Sequence, residues 1–303
     1  MTFGIGIDLG GTRIKSARFD LQSGALLATA MRPTCDGETV DGEPAFAAGI
    51  RELVQQHESE VGGRADVIGI SAPGLADRQG TCIRFMPGKL DGLENLIWAD
   101  FLQRPAACLN DAHAALMGEI WQGAAKGLED VVMLTLGTGV GGAVVSGRHL
   151  LHGHMGRAGH LGHVTVNLDD PADIANAPGS IEYAIGNGYL AQRSQGRYHM
   201  TSDLLAAVEA GDAQATAVWA RSIQALGASV ASLINAFDPE LVLLGGGIAN
   251  AWLHVEPGLK HWLDQYEWRP GGHCVPVHQA TLGEWAGCYG AVHFAQSRQS
   301  RNR

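Results

Sequence analysis

The sequence lacks the features that mark membrane, secreted and nucleic-acid-binding proteins. No run of about 18 or more apolar residues occurs in the chain, so no membrane-spanning segment and no membrane partner are expected. The first residues lead directly into an apolar strand pattern with no charged segment before it, which predicts a cytoplasmic protein without a signal peptide. Acidic residues number 31 and basic residues 21, and the net charge of −10 argues against nucleic acid as a partner.

Cysteine is scarce and unpatterned. The five cysteines are odd in number and form no Cys-x-x-Cys pair: Cys35, Cys82, Cys108, Cys274 and Cys288. Scattered thiols are typical of reduced cytoplasmic proteins rather than of disulfide scaffolds. A Gly-x-x-x-x-Gly-Lys-Ser/Thr loop is also absent, which argues against a P-loop kinase.

Glycine, with 42 residues, is abundant, and one glycine-rich turn lies near the start of the chain. Residues 3–19 read as a β-hairpin in which apolar residues lead to Asp8 and Gly10, Gly11 and Thr12 form the turn. Bare glycine backbone lets N–H groups approach an anion closely, and a neighbouring carboxylate can hold Mg²⁺ directly or through water. An ordinary hairpin turn explains this segment, taken alone, equally well.

The same plan recurs at residues 132–145. A buried strand runs into a turn that contains Gly137, Thr138 and Gly139, and an apolar return follows. Two such hairpins about half a chain apart indicate a duplicated architecture. Two facing turns of this kind can clamp one polyphosphate between two lobes.

Two polar side chains end a short apolar strand at residues 106–111. Asn110 and Asp111 would lie at the carboxyl end of that strand, where open α/β sheets bind ligands. Asp111 suits a general base that takes a proton from a hydroxyl as it attacks a phosphate. The alternative is that Asp111 only caps the helix expected at residues 112–125.

A third glycine-rich turn follows a buried strand at residues 240–250. Gly245, Gly246 and Gly247 precede a predicted helix, and such a helix N-terminus suits close approach of a nucleotide. A tight strand-to-helix turn without a ligand is the alternative interpretation.

These motifs together resemble the actin-like ATPase superfamily and, within it, the ROK family of bacterial-type sugar kinases and repressors. The resemblance rests on Asp8-Leu-Gly-Gly-Thr12 and Leu136-Gly-Thr-Gly-Val-Gly-Gly142, and it covers nearly the whole chain. It implies an α/β fold of two actin-like ATPase (ribonuclease-H-like) lobes with a nucleotide and sugar cleft between them. The implied lobes are residues 1–111 with a C-terminal helix at about 284–303, and residues 112–283.

The resemblance also implies an activity, which is ATP- and Mg²⁺-dependent phosphorylation of a hydroxyl on a hexose or hexose derivative. Asp111 would be the base, and Asp8 would orient Mg²⁺. Homodimers are common among such relatives, so a homodimer is expected. The implied phosphate- and nucleotide-binding residues are Asp8, Gly10, Gly11, Thr12, Gly137, Thr138, Gly139, Gly245, Gly246 and Gly247. The implied sugar-binding residues are Asn110, His160, His163 and Glu182.

One departure from the family pattern concerns the sugar. ROK proteins usually read Gly-Glu-x-Gly-His where this chain has Gly-His160-Leu-Gly-His163. A carboxylate accepts two hydroxyl hydrogen bonds, whereas a neutral imidazole accepts one. The sugar or its orientation is therefore expected to differ from that of typical members.

A second departure concerns zinc. Zinc-bearing ROK proteins carry a Cys-x-Cys-Gly-x-x-Gly-Cys-x-Glu run, and here the cysteine positions hold Asp173, Ala175 and Ser180, while Glu182 matches. No family zinc is expected, because three thiolates are missing. A replacement metal site is an alternative, because five histidines cluster here: His149, His152, His154, His160 and His163.

Two alternative functions follow from these departures. Some ROK relatives that lack the cysteine run use polyphosphate, so a polyphosphate-dependent sugar kinase is one alternative. A non-catalytic sugar-binding protein is the other, and His160 motivates it. Retention of Asp8 and Asp111 argues against loss of the chemistry.

Overall fold

Two five-stranded sheets with equivalent strand orders form the framework of the computed structural model, which describes residues 2–301. The chain divides into two compact units. Unit 1 comprises the residues up to Gly127, His152–Ala158 and the residues from Thr281 onward, and unit 2 comprises Leu128–Leu151 and Gly159–Ala280. Residues 302 and 303, the end of the predicted C-terminal helix, lie outside the described residues, as does residue 1 of the predicted first lobe.

The helices and strands follow one another along the chain in this order. Before the chain enters unit 2 they are β1 (Phe3–Leu9), β2 (Arg13–Asp20), β3 (Leu26–Pro33), β4 (Thr39–Val40), β5 (Glu43–Pro44), α1 (Ala45–Val61), β6 (Val67–Ala72), β7 (Leu75–Ala76), β8 (Ile83–Phe85), α2 (Trp98–Leu102), β9 (Ala107–Asn110) and α3 (Asp111–Gln122). From there they are β10 (Val131–Leu136), β11 (Val140–Ser146), β12 (His149–Leu150), α4 (Ile181–Ile185), α5 (Leu190–Arg193), α6 (Thr201–Glu209), α7 (Ala213–Phe237), β13 (Leu241–Gly245), α8 (Trp252–Tyr266), β14 (Val277–Gln279) and, back in unit 1, α9 (Ala286–Arg301).

The sheet of unit 1 has the order β3-β2-β1-β6-β9, with β1 and β2 antiparallel and β1, β6 and β9 parallel. This register confirms the hairpin predicted at residues 3–19. It also places Lys15 of β2 and Ser71 of β6 opposite Asp8 on either side of β1. The carboxyl ends of the parallel strands therefore meet at one edge of the sheet.

The two faces of β1 have different partners. Ile5 and Ile7 point into the core beneath α1, and the alternate residues face α9. A Cβ at Gly6 would lie 2.1 Å from the carbonyl oxygen of Cys288, and one at Gly69 would lie 1.9 Å from that of Ala291. The lack of side chains at these positions lets α9 rest directly on the sheet.

Helix α3 packs along α9 and belongs to unit 1. A Cβ at Gly290 would lie 1.7 Å from the carbonyl oxygen of Ala114, so the two helices approach each other at backbone distance. The sequence placed residues 112–127 in the second lobe, and the structure differs because this helix–helix contact joins segments far apart in the chain.

The sheet of unit 2 has the equivalent order β12-β11-β10-β13-β14. Strands β10 and β11 pair antiparallel and β13 and β14 extend the sheet in parallel, as β2, β6 and β9 do around β1. The predicted hairpin at residues 132–145 and the duplicated architecture are therefore confirmed.

Helix α7 crosses the core of unit 2. Among residues 2–301 it is the one helix long and apolar enough to span a membrane, judged by length and composition alone. Half of its apolar stretch is buried, and Leu226, Val230 and Ile234 belong to the hydrophobic core. A buried apolar face of this kind is what a core helix requires.

A buried glutamate on α3 holds the segment by which the chain re-enters unit 1. Glu119 is fully buried, and its Oε1 accepts hydrogen bonds from the backbone N–H groups of Thr281 and Leu282, both at 2.8 Å. Its Oε2 accepts from the N–H of Ala124 at 2.7 Å and the hydroxyl of Thr281 at 3.0 Å. One carboxylate thus satisfies four donors.

Replacing Glu119 by alanine would leave these donors without their acceptor in the protein interior. We expect the free energy of unfolding, measured by urea denaturation followed by circular dichroism, to fall by about 3 kcal/mol. Glu38→Ala, at an exposed position of the same unit, should change it by less than about 0.5 kcal/mol. Equal stability of the two variants would contradict this role.

Candidate active site

Asp8 ends β1 and is held by neighbours from three elements. Its Oδ1 accepts a hydrogen bond from the hydroxyl of Ser71 at 2.7 Å, and its Oδ2 lies 3.4 Å from Nζ of Lys15. Nζ of Lys15 also donates to the carbonyl of Glu284 at 2.9 Å. A Cβ at Gly287, on α9, would lie 2.7 Å from Oδ1 of Asp8. The carboxylate is therefore oriented but still partly exposed.

Ser71 and Lys15 were not among the predicted site residues. Lys15 could have been found from the sequence, because a hairpin that turns at Gly10 and Gly11 places residue 15 opposite residue 8. Ser71 could not, because its place depends on which distant strand pairs with β1.

The turn after Asp8 offers accessible backbone. The N–H of Gly10 donates to the carbonyl of Arg13 at 3.0 Å, and the hydroxyl of Thr34 donates to the carbonyl of Gly10 at 2.7 Å. Gly11 and Thr12 are exposed, and nothing lies within 4 Å of the position that a Cβ on Gly11 would occupy. A fixed turn with open space at its tip suits an anionic group.

Asn110, rather than Asp111, caps α3. Its Oδ1 accepts hydrogen bonds from the N–H groups of Ala112 at 3.0 Å and His113 at 3.2 Å. Its Nδ2 donates to the carbonyl of Gly74 at 3.0 Å and to Oδ1 of Asp111 at 2.9 Å. The side-chain amide is thus fully engaged within unit 1, and it orients Asp111.

Asp111 is the first residue of α3, and its Oδ1 also accepts from the N–H of Ala112 at 2.9 Å. Desolvation and, second, the negative charge of Asp8 raise the pKa of Asp111 to about 6, against the lowering effect of these hydrogen bonds. The residue nevertheless keeps solvent-exposed surface. An accessible carboxylate of this kind is ionised at neutral pH and more basic than an ordinary aspartate, as a general base requires.

The glycine turn of unit 2 is held from two sides. The N–H of Gly137 donates to the carbonyl of Gly139 at 3.0 Å, and the N–H of Gly188 donates to the carbonyl of Thr138 at 2.8 Å. Glu182, which is buried on α4, accepts a hydrogen bond from the N–H of Val140 at 2.9 Å. A Cβ at Gly139 would lie 2.6 Å from this carboxylate, so a larger residue there would displace the Glu182 side chain.

His163 is joined to Asp173 by a hydrogen bond of 2.7 Å between Nδ1 and Oδ2. Burial opposes ionisation of Asp173, but hydrogen bonds from His163, Ser180 and Ala177 outweigh it and hold the pKa of this carboxyl below its usual value. Asp173 was not predicted as a site residue. The sequence marked it only as a residue in place of a cysteine.

His160 lies beside His163 and is uncharged at neutral pH. Desolvation and, second, the charge of His163 lower the pKa of His160 to about 4. The position that usually holds a glutamate is therefore occupied here by a neutral imidazole.

The five histidines do not form one metal cluster. His152 packs against the ring of Phe294. Within the part of the chain that the structure describes, the side chains close enough to share a metal ion are His163, Asp173 and Glu182. Their ligand atoms lie within 4.8 Å of one another.

The triple-glycine turn follows β13. Gly246 has a φ of 85°, and a Cβ there would lie 2.4 Å from the carbonyl oxygen of Leu136, so both conformation and space require glycine. Gly247 has nothing within 4 Å of its Cβ position. A 3₁₀ turn, Ile248–Ala251, precedes α8, so the α-helix begins later than the sequence predicts.

Comparison with known proteins identifies the family. The ROK family model matches residues 4–298. The chain belongs to the ROK family. A glucokinase from Thermotoga maritima is 32% identical over 97% of this chain and 97% of its own length.

Solved structures agree with this membership. A ROK hexokinase from Thermus thermophilus superposes with a TM-score of 0.83 at 32% identity, covering 99% of this chain and 100% of that one. A ROK family glucokinase from Streptomyces griseus, solved in complex with glucose and AMPPNP, superposes with a TM-score of 0.77 at 27% identity, covering 97% and 99%. The predicted two-lobe actin-like ATPase fold is therefore confirmed.

The unusual pKa of Asp111 can be measured directly. A ¹³C NMR titration of the aspartate carboxyl carbons should give a pKa of about 6 for Asp111. In Asp8→Asn this pKa should fall yet stay above its ordinary value, because desolvation is the larger cause. Asp91→Asn, an exposed carboxylate of the same unit, is the control and should leave it unchanged. An Asp111 pKa that does not respond to loss of Asp8 would contradict the coupling.

Proposed function

We propose that this protein is a carbohydrate kinase that transfers the γ-phosphate of ATP, with Mg²⁺, to a hydroxyl of a hexose or hexose derivative. The observation that carries the proposal is Asp111, a basic and accessible carboxylate oriented at the end of β9 beside Asp8. Membership of the ROK family and the glucose and AMPPNP bound to the Streptomyces griseus relative support the same reaction.

In this proposal Asp111 accepts the proton of the attacking sugar hydroxyl. Asn110 keeps the Asp111 carboxylate in one orientation, and a direct contact of Asn110 with the sugar would require exchange of one of its existing hydrogen bonds. Positioning and charge stabilisation supply most of the catalysis of phosphoryl transfer, so a fixed base is what the protein must provide.

Asp8 fits the role of magnesium partner. It is a carboxylate with side-chain exposure of 19%, oriented by Ser71, next to an open glycine turn, and Mg²⁺ is bound in proteins through one or two carboxylates and retained water. When bound, Mg²⁺ would supply positive charge that offsets the negative charge of the phosphates. Lys15, within 3.4 Å of Asp8, adds a second positive charge beside the same turn.

The glycine turns would hold the nucleotide. Gly10, Gly11 and Thr12 in unit 1, and Gly137, Thr138 and Gly139 in unit 2, present turn backbone for phosphates. The open space at Gly247 suits adenosine beside the turn Gly245–Gly247.

His163 and Glu182 would accept hydrogen bonds from sugar hydroxyls, and His160 would add one neutral acceptor where other members have a carboxylate. We further propose a cytoplasmic homodimer that binds neither nucleic acid nor membrane. The net charge of −10 supports the absence of a nucleic-acid partner, and the five unpaired cysteines support the cytoplasmic location. The homodimer rests on the resemblance to the family alone.

The proposal is tested by a coupled ADP-release assay with ATP, Mg²⁺ and a panel of hexoses, amino sugars, N-acetyl sugars and polyols. Asp111→Asn should lower turnover on the accepted sugar by about 10²- to 10⁴-fold, because the general base is lost, and should leave the KM for ATP within about threefold. Asp91→Asn is the matched control and should keep full turnover.

Other outcomes separate the alternatives. Unchanged turnover in Asp111→Asn would remove this residue from the base role. Phosphorylation of the sugar by polyphosphate but not by ATP would show that polyphosphate is the phosphoryl donor. Sugar binding by thermal shift, without transfer from either donor, would identify a sugar-binding protein that is not a kinase.

A further inference from the structure

Three positions hold zinc-binding cysteines in zinc-bearing ROK proteins. In this chain they are Asp173, Ala175 and Ser180, and these residues make other contacts. Ala175 has no ligand atom in its side chain, and its N–H donates to Oδ1 of Asp173 at 2.8 Å. The hydroxyl oxygen of Ser180 accepts the N–H of Tyr183 at 3.1 Å and so caps α4. A tetrahedral site of three thiolates and one imidazole does not fit these residues.

We propose that Asp173 holds His163 in place with one ring nitrogen directed to the sugar, a positioning task that a metal ion bound to the imidazole would otherwise perform. The inference rests on the proposed function and adds a positioning residue to it. Asp173 is expected to act through His163 and not to touch the sugar itself.

Hydrogen bonds to both oxygens fix the orientation of the Asp173 carboxylate. Its Oδ1 is fixed by the N–H groups of Ala175 at 2.8 Å and Ala177 at 3.0 Å, and its Oδ2 lies 2.7 Å from Nδ1 of His163. The Asp173 side chain has no exposed surface, whereas 34% of the His163 side chain is exposed. Water therefore does not compete for the carboxylate, and the imidazole remains accessible.

This contact determines the hydrogen-bonding character of His163. An ionised carboxylate only accepts hydrogen bonds, so Nδ1 of His163 must carry the hydrogen. In the neutral ring Nε2 is then an acceptor. A metal ion on Nδ1 would take that lone pair and leave the hydrogen on Nε2, which would make Nε2 a donor.

The two departures of this chain from the family pattern are thereby linked. His160 offers one acceptor where a glutamate would offer two, and His163 offers an acceptor where a metal-bound imidazole would offer a donor. At residue 160 this chain has His where other members have Glu, and one hydrogen-bond acceptor is lost. At residue 173 it has Asp where zinc-bearing members have Cys, and Nε2 of His163 becomes an acceptor in its place. This set selects a sugar that presents hydroxyl hydrogens to both imidazoles.

A metal shared by His163, Asp173 and Glu182 is the competing arrangement, since their ligand atoms lie within 4.8 Å of one another. A metal on Nδ1 of His163 would exclude the hydrogen bond to Asp173, because one ring nitrogen cannot both donate to Asp173 and bind a metal. One oxygen of Glu182 is also engaged by the N–H of Val140 at 2.9 Å.

The decisive experiment is ¹⁵N NMR of the histidine-labelled protein at pH 8, without sugar or nucleotide, with His163→Gln to assign the signal. His163 should show a protonated Nδ1 and an unprotonated Nε2. Metal analysis of protein purified without chelator should find less than about 0.1 zinc or other transition metal per chain. The metal analysis uses the unaltered protein alone, and the NMR readout uses His163→Gln only to assign the signal of the unaltered protein.

Asp173→Asn supplies the sharpest contrast. The two backbone N–H groups should retain the amide oxygen and turn its NH₂ toward Nδ1, so the ring hydrogen moves to Nε2 and the tautomer is inverted. The KM for the sugar accepted in the panel should rise about 10- to 100-fold, with the KM for ATP unchanged. Asp169→Asn, an exposed carboxylate in the same loop, should alter neither readout.

An Nε2-protonated His163 in the unaltered protein, or stoichiometric bound metal, would overturn the inference. An unchanged tautomer and an unchanged KM for the sugar in Asp173→Asn would do the same. Failure of the proposed function gives a different result, because no sugar is then phosphorylated while the NMR signature persists. In that case the hydrogen bond between Asp173 and His163 is confirmed, and its proposed role in sugar phosphorylation is wrong.

Discussion

The placement of Asp111 in a desolvated position near a second carboxylate, Asp8, is the constraint on which the site end of the first unit depends. Desolvation and, second, the negative charge of Asp8 raise the pKa of Asp111. The unit balances this cost with donors. Ser71 donates a hydrogen bond to Asp8, and Lys15 forms an ion pair with it. Asn110 and the N–H of Ala112 at the start of α3 donate hydrogen bonds to Asp111. The result is one carboxylate available for a cation and another basic enough to take a proton.

The sheet explains why these groups meet. Strands β1, β6 and β9 are parallel neighbours, so Asp8, Ser71 and Asn110 lie where their carboxyl ends share one edge. Gly4 and Gly6, on the same face of β1 as Asp8, admit α9, whose Gly287 leaves room for the Asp8 carboxylate. Unit 2 repeats the strand order and uses the equivalent hairpin for its own glycine turn, braced there by Glu182.

Local signals in the sequence were sufficient for the hairpins, for the strand that ends at Asn110 next to Asp111, and for the family. Glycine turns and strand ends are determined by consecutive residues, so they could be predicted from the sequence. The capping role of Asn110, the four donors of Glu119 and the partner of His163 could not be read in this way. Glu119 meets Thr281 across 162 positions of sequence, and Asp173 became meaningful only when folding brought it to His163. The same holds for α3, whose membership of unit 1 follows from its contact with α9.

The central claim is that ionised Asp111 accepts the proton of the sugar during phosphoryl transfer. Rapid-quench measurement of a single turnover, with saturating ATP, Mg²⁺ and the accepted sugar between pH 5 and pH 8, tests it most directly. Below a pH of about 6 the transfer rate should fall about tenfold per unit, because protonated Asp111 cannot accept a proton, and above it the rate should reach a plateau. In Asp111→Asn the residual rate should not vary with pH across this range. A pH-independent rate in the unaltered protein, or the same acid limb in the variant, would contradict the account.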